Sequence, residues 1–116
     1  MKTLEQIFDI IENYDINIAE YKENNILCGY ELDTYTDAGV NEILFLDFRH
    51  EDKNPKKAWD FINEFHSYVQ DYYIDDRIDI YRQDARYKND FTLKESLNDF
   101  TKFHKKLKKI LKEIKN

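Results

Sequence analysis

The side chains best equipped for chemistry in this sequence are its carboxylates, and three residues form the one arrangement that invites a catalytic reading. Asp33, Asp47 and Arg49 fall in neighbouring strand-like runs, where two acidic groups could hold magnesium for phosphodiester cleavage. The basic residue of the trio is arginine, whose high pKa makes it a poor general base, so a magnesium-dependent nuclease is the lesser alternative. Other chemistries lack their residues. Phosphate-cradling loops need several close glycines, and only Gly29 and Gly39 are present. Structural zinc needs four close Cys or His ligands, whereas Cys28 stands with three separated histidines, at 50, 66 and 104. Cys28, in an Ile-Leu-Cys-Gly context, reads as a small buried hydrophobe, and His66 and His104 as solvated or boundary residues. The expectation is a chain that is not an enzyme, with no catalytic residue, metal or cofactor.

Binding chemistry is better supplied. Asp33, Asp37, Glu42 and Asp47 lie along a strand-rich stretch, and Glu51 and Asp52 follow it. Asp71, Asp75, Asp76, Asp79, Asp84 and Asp90 populate a later segment, with Tyr30, Tyr35, Tyr73 and Tyr81 interleaved. Like charges kept together cost self-repulsion, and tyrosine is enriched at interfaces. A face of this composition would imitate a phosphate backbone and enter a basic groove, with fast and salt-sensitive association. The expected contact set is Asp33, Tyr35, Asp37, Glu42, Asp47, Glu51, Asp52, Asp71, Asp75, Asp76, Asp79 and Asp84. The competing explanation of the same residues is a surface that charge keeps dispersed.

The net charge of −6 conceals an asymmetry. Residues 1–100 carry 11 Lys and Arg against 23 Asp and Glu, whereas residues 101–116 carry seven lysines against the single Glu113. Lysines at a helix C-terminus complement the macrodipole and solvate an exposed face; touching nucleic acid or an acidic surface is the alternative reading.

These residues must be positioned by one small domain. A length of 116 residues with 41% hydrophobic and 16% aromatic content suffices for one core. Thr3-Leu4-Glu5-Gln6 is a capping box opening a helix with Leu4, Ile7, Phe8, Ile11 and Tyr14 on one face. Three β-compatible runs follow, residues 16–22, 26–36 and 40–49, separated by Glu23-Asn24-Asn25 and Asp37-Ala38-Gly39 turn chemistry. In the third run Leu44, Leu46 and Phe48 alternate with Ile43, Phe45, Asp47 and Arg49, which predicts a central strand partly covered on both faces. Asn54-Pro55 predicts the start of a second helix carrying Ala58, Phe61, Ile62, Phe65, Tyr68, Val69 and Tyr72. A short helix near residues 75–85 is expected next. Thr92-Leu93-Lys94-Glu95 then opens a long basic helix over about residues 92–115. The fold class is α+β: an N-terminal helix, a three-stranded antiparallel sheet, then two to three helices packed on it. The single cysteine, the early acidic residues and the lack of a long apolar run lead to the expectation of a cytoplasmic protein without membrane contact.

This order of elements on a small acidic chain resembles some anti-CRISPR proteins, which inhibit Cas9 by occupying its DNA-binding surface. The segment Cys28-Gly29-Tyr30-Glu31-Leu32-Asp33-Thr34-Tyr35-Thr36 with Gly39-Val40-Asn41, and downstream Tyr81-Arg82-Gln83-Asp84 and Phe91-Thr92, also resembles small proteins of phages and mobile elements. The resemblance implies an anti-defence inhibitor in the cytoplasm of a bacterial host, blocking a basic nucleic-acid-binding protein such as a CRISPR or restriction effector. Direct binding of nucleic acid is not expected. The alternative is a non-enzymatic interaction module of other role.

Overall fold

The computed structural model describes residues 1–35, 41–49, 52–71 and 93–116. Within them lie helix α1 (Leu4–Glu12), strands β1 (Asn17–Glu23), β2 (Ile26–Tyr35) and β3 (Asn41–Asp47), and helices α2 (Ala58–Gln70) and α3 (Leu93–Lys115). The strands form an antiparallel sheet in the order β1-β2-β3. The fold is therefore α+β, with a helix, a three-stranded antiparallel sheet and two further helices. The short helix expected near residues 75–85 lies outside the described residues.

Local chemistry accounts for most boundaries. Thr3 Oγ1 accepts from the Gln6 amide at 3.2 Å and Gln6 Oε1 accepts from the Thr3 amide at 2.9 Å, so the predicted capping box closes. After α1 the chain turns through Asp15, which takes a left-handed φ of 61° before Ile16 drops into the core. The β1–β2 hairpin turns on Asn24 and Asn25, both at positive φ, the requirement of a two-residue turn whose twist matches the strands. A bulge follows, because Tyr21 pairs with Gly29 but Lys22 pairs with Leu27, which leaves Cys28 as the extra residue.

Two expectations are corrected. The second helix begins at Ala58, not at Asn54-Pro55. Asn54 instead builds a turn: its Oδ1 accepts from the Lys56 amide, its carbonyl from the Lys57 amide, and its own amide donates to Asp60. Asn followed by Pro is equally the signature of a β-turn, and here that use wins. β3 has the predicted alternation, with Leu44, Leu46 and Phe48 buried, but among the described residues it is an edge strand on β2, and Phe45 remains 39% exposed. The central strand is β2.

One core gathers these elements. Tyr30 and Leu32 of β2 and Leu44 and Leu46 of β3 meet Ile7 and Ile11 of α1 and Phe61, Phe65 and Val69 of α2. Phe61 is the hub, with Phe8 edge-on at 5.2 Å, Tyr30 edge-on at 5.6 Å and Phe48 stacked at 6.1 Å between centroids. Each such ring buries apolar area with a contribution of about 1.5–3 kcal/mol. The Tyr30 hydroxyl donates to the Pro55 carbonyl at 2.7 Å, tying the sheet centre to the turn that delivers α2. Helix α3 buries Phe103, Leu107, Ile110 and Ile114 and packs on α1 and α2. On the α1 side Lys106 donates to the Tyr14 carbonyl and the Tyr14 hydroxyl to Glu113; on the α2 side His104 Nε2 donates to the Val69 carbonyl.

Candidate functional site

Sheet register decides which acidic residues keep a net charge to offer a partner. On the face turned away from the helices, β1 contributes Asn17, Ala19 and Tyr21, β2 Gly29, Glu31 and Asp33, and β3 Phe45 and Asp47. Gly29 shapes this face. With no side chain in the row between Tyr21 and Asp47, the Tyr21 ring reaches across β2 to meet Phe45 edge-on at 5.0 Å. A Cβ at Gly29 would also overlap the Leu46 carbonyl oxygen.

At one end of the face a single guanidinium bridges two carboxylates. Arg49 donates to both oxygens of Asp47 through Nε and Nη2 and to Glu23 through Nη1 at 2.7 Å, and its guanidinium lies 5.6 Å from the Tyr21 ring centre. The Tyr21 hydroxyl donates to Glu23 at 2.5 Å. This bond, then the arginine, hold the Glu23 carboxyl below its ordinary pKa, and the same bond pushes the Tyr21 hydroxyl up. Hydrogen bonding to Asp47 raises Arg49 further, so it stays charged.

The other end is open. Glu31 sits between Ala19 and Phe45, and Asp33 between Asn17 and Ile43, so no cation stands opposite either. Both are half-buried, and neither has a hydrogen-bond or ion-pair partner among the described residues. An aromatic ridge of Tyr21 and Phe45 thus separates an end where one guanidinium is shared by Asp47 and Glu23 from one whose two carboxylates have no ion-pair partner among the described residues.

Of the expected contact residues, Asp33 and Asp47 share this face, but only Asp33 is uncompensated. Glu42 pairs with Thr34 and has the parity of Leu44 and Leu46, whereas Tyr35 has the parity of Asp33 and pairs with Asn41. Asp52 and Asp71 are exposed away from the sheet, at a left-handed turn and at the end of α2. Asp37, Glu51, Asp75, Asp76, Asp79 and Asp84 lie outside the described residues. Glu31 belongs to the site although composition did not single it out. Its signal was the alternation Glu31-Leu32-Asp33, which places both acids on one strand face.

The geometry also bears on metal chemistry. Asp33 is opposite Ile43, four residues before Asp47 on β3, so at about 3.4 Å per residue the two positions are about 14 Å apart along the strand direction. That separation is too long for one shared ion, and Arg49 already occupies Asp47. Among the described residues no group of three Cys, His, Asp or Glu side chains could hold a metal, and no helix is long and apolar enough to cross a membrane. Cys28 is buried, with its thiol donating to the Ile26 carbonyl. Comparison with protein-family models, with curated proteins and with solved structures finds no match to this chain.

Proposed function

We propose that this chain acts by binding, presenting the open sheet face to a basic protein surface, and that its partner is a nucleic-acid-binding protein whose phosphate-binding groove it occupies. The observation that carries the reading is the pair Glu31 and Asp33, half-buried and without counter-ions among the described residues, beside the aromatic ridge. Holding two like charges two residues apart on one strand face costs repulsion that a cationic partner would relieve. The adjacent rings supply apolar area of the kind that anchors interfaces. In this reading the protein is a stoichiometric inhibitor of a nucleic-acid-processing enzyme, the role implied by its resemblance to anti-CRISPR proteins.

The test is capture and competition. Immobilised chain is exposed to a bacterial lysate, bound protein is eluted in rising salt, and the eluted protein is assayed for duplex DNA binding with and without added chain. Loss of DNA binding at stoichiometric chain, and loss of capture in Glu31→Lys/Asp33→Lys, are expected. Capture that survives both high salt and charge reversal would remove the basis for mimicry. A captured protein that keeps its DNA binding would leave an interaction module of other role.

A further inference from the structure

Of the seven lysines in residues 101–116, six are exposed and only Lys106 is half-buried. At 100° per residue, Phe103, Leu107, Ile110 and Ile114 define the buried stripe, which places Lys105, Lys109 and Lys112 on the outward face. Lys108 and Lys115 lie on the flank nearest α2, the side on which His104 and Lys115 make their contacts. Lys108, Lys112 and Lys115 therefore form a track spaced i, i+4, i+7, and among the described residues none of the three has an ion pair. Glu113, the single acid in residues 101–116, faces the other flank, where Tyr14 donates to it. The macrodipole accounts for Lys112 and Lys115 in the last turn but fades before Lys108.

The track leads to a cleft. A hollow of about 740 Å³ opens between the start of α1, α2 and the end of α3, and Lys2, Trp59, Ile62, Asn63, His66 and Lys115 are among its walls. Ile62 and Ile114 give it a buried apolar floor, while Trp59, the sole tryptophan, is 53% exposed. Lys115 Nζ donates to His66 Nδ1 at 2.9 Å, so that ring nitrogen carries the lone pair. Among the described residues no Asp or Glu side chain lines the cleft, on a chain whose residues 1–100 carry 23 acids against 11 bases.

We infer that the Lys108–Lys112–Lys115 track and the Trp59 cleft together bind single-stranded nucleic acid, with phosphodiesters along the lysines and one base stacked on the indole. An evenly spaced row of ammonium groups meets a phosphate chain without reading sequence, and an exposed indole supplies a platform that any unpaired base can use. A duplex closes its bases against such stacking. An acidic peptide would satisfy the lysines but has no planar group for Trp59. Direct binding of nucleic acid is not expected of an inhibitor that blocks a nucleic-acid-binding protein, although contact with nucleic acid is one reading of these lysines.

The single tryptophan makes the test direct. The full chain is titrated with a ten-nucleotide single strand while Trp59 emission is followed at 50 and 200 mM salt. Saturable quenching is expected, with affinity falling roughly 20-fold between the two salts if three lysines each contribute about −0.7 to the log–log slope. Lys108→Ala/Lys112→Ala/Lys115→Ala should weaken binding at least tenfold with an unchanged thermal melt. Trp59→Ala, followed by anisotropy of a labelled strand, should weaken it about fivefold or more. Absence of quenching at 50 mM salt, or affinity indifferent to the triple substitution, overturns the inference. Equal quenching by a duplex or by a polyglutamate peptide also overturns it, in favour of a site for charge alone. If the triple variant does not fold, the wild-type salt slope still decides, because a slope near zero is incompatible with phosphate contacts.

Discussion

At Gly29 the missing side chain serves both neighbours of β2. It leaves room for the Leu46 carbonyl on β3 and lets Tyr21 pass over to Phe45. Gly29→Ala would force backbone apart in a paired strand, so a loss of about 1–3 kcal/mol is expected, read as a lower thermal midpoint. An unchanged midpoint would show that the strand spacing is looser than described. Arg49→Ala has a different signature. Its partners are solvent-exposed or half-buried, so a stability change under about 1 kcal/mol is expected. The substitution removes one positive charge from beside Asp47 and Glu23 on the partner-binding face, however, so association with a basic partner should become faster at low salt, as stopped-flow mixing would record. The Glu23 carboxyl titrates below its ordinary value in the fold, so its contribution to stability is present above the unfolded carboxylate pKa and lost as pH falls through the folded one. Acid should therefore loosen the Glu23–Arg49 tie, observable as exchange broadening of Tyr21 ring signals.

At the scale of elements, caps and ties set the margins. Thr3→Ala removes one half of a closed capping box and should cost about 1 kcal/mol in chemical denaturation. Burial raises the Tyr30 hydroxyl pKa and the bond to Glu113 raises that of Tyr14, so both favour the protonated state in the fold. Their contribution is complete below the ordinary tyrosine range and lost as pH rises through the folded values, and stability should fall above about pH 10. Tyr30→Phe should blunt that fall while losing the tie to Pro55. Much of this layer was legible in the sequence. The box at Thr3 and Gln6, the Asn24-Asn25 turn and the 3.6-residue stripe of α3 each state a backbone geometry through local residues. Asn54-Pro55 misled because the same pair suits a helix start and a β-turn, and Asp60 settles the choice only after α2 is in place. The apolar run through β3 suggested burial on both faces, but apolar content does not specify how many neighbours a strand has. The site was less legible still. Which acids face Arg49 and which face Ala19 depends on pairing between residues far apart in sequence, and Trp59 and Lys115 come to line one cleft only once α3 docks.

At the scale of the whole molecule, the described residues are polarised. The carboxylates Glu31 and Asp33 occupy the sheet face turned away from the helices, and the lysine row runs along the exposed flank of α3 nearest α2. Such a layout gives two surfaces of opposite sign on a chain whose total is only −6, so its encounters are governed by local fields and not by that total. Salt should therefore weaken both surfaces independently, and a substitution on one should leave the other unchanged. The central claim is that the sheet face, and not acidity in general, makes the partner contact. Carbodiimide labelling of carboxylates in the free chain and in the complex with its captured partner tests it directly. Protection of Glu31 and Asp33, with Glu5, Glu12 and Asp71 labelled as in the free chain, is the predicted result; uniform protection, or none at Glu31 and Asp33, would contradict it.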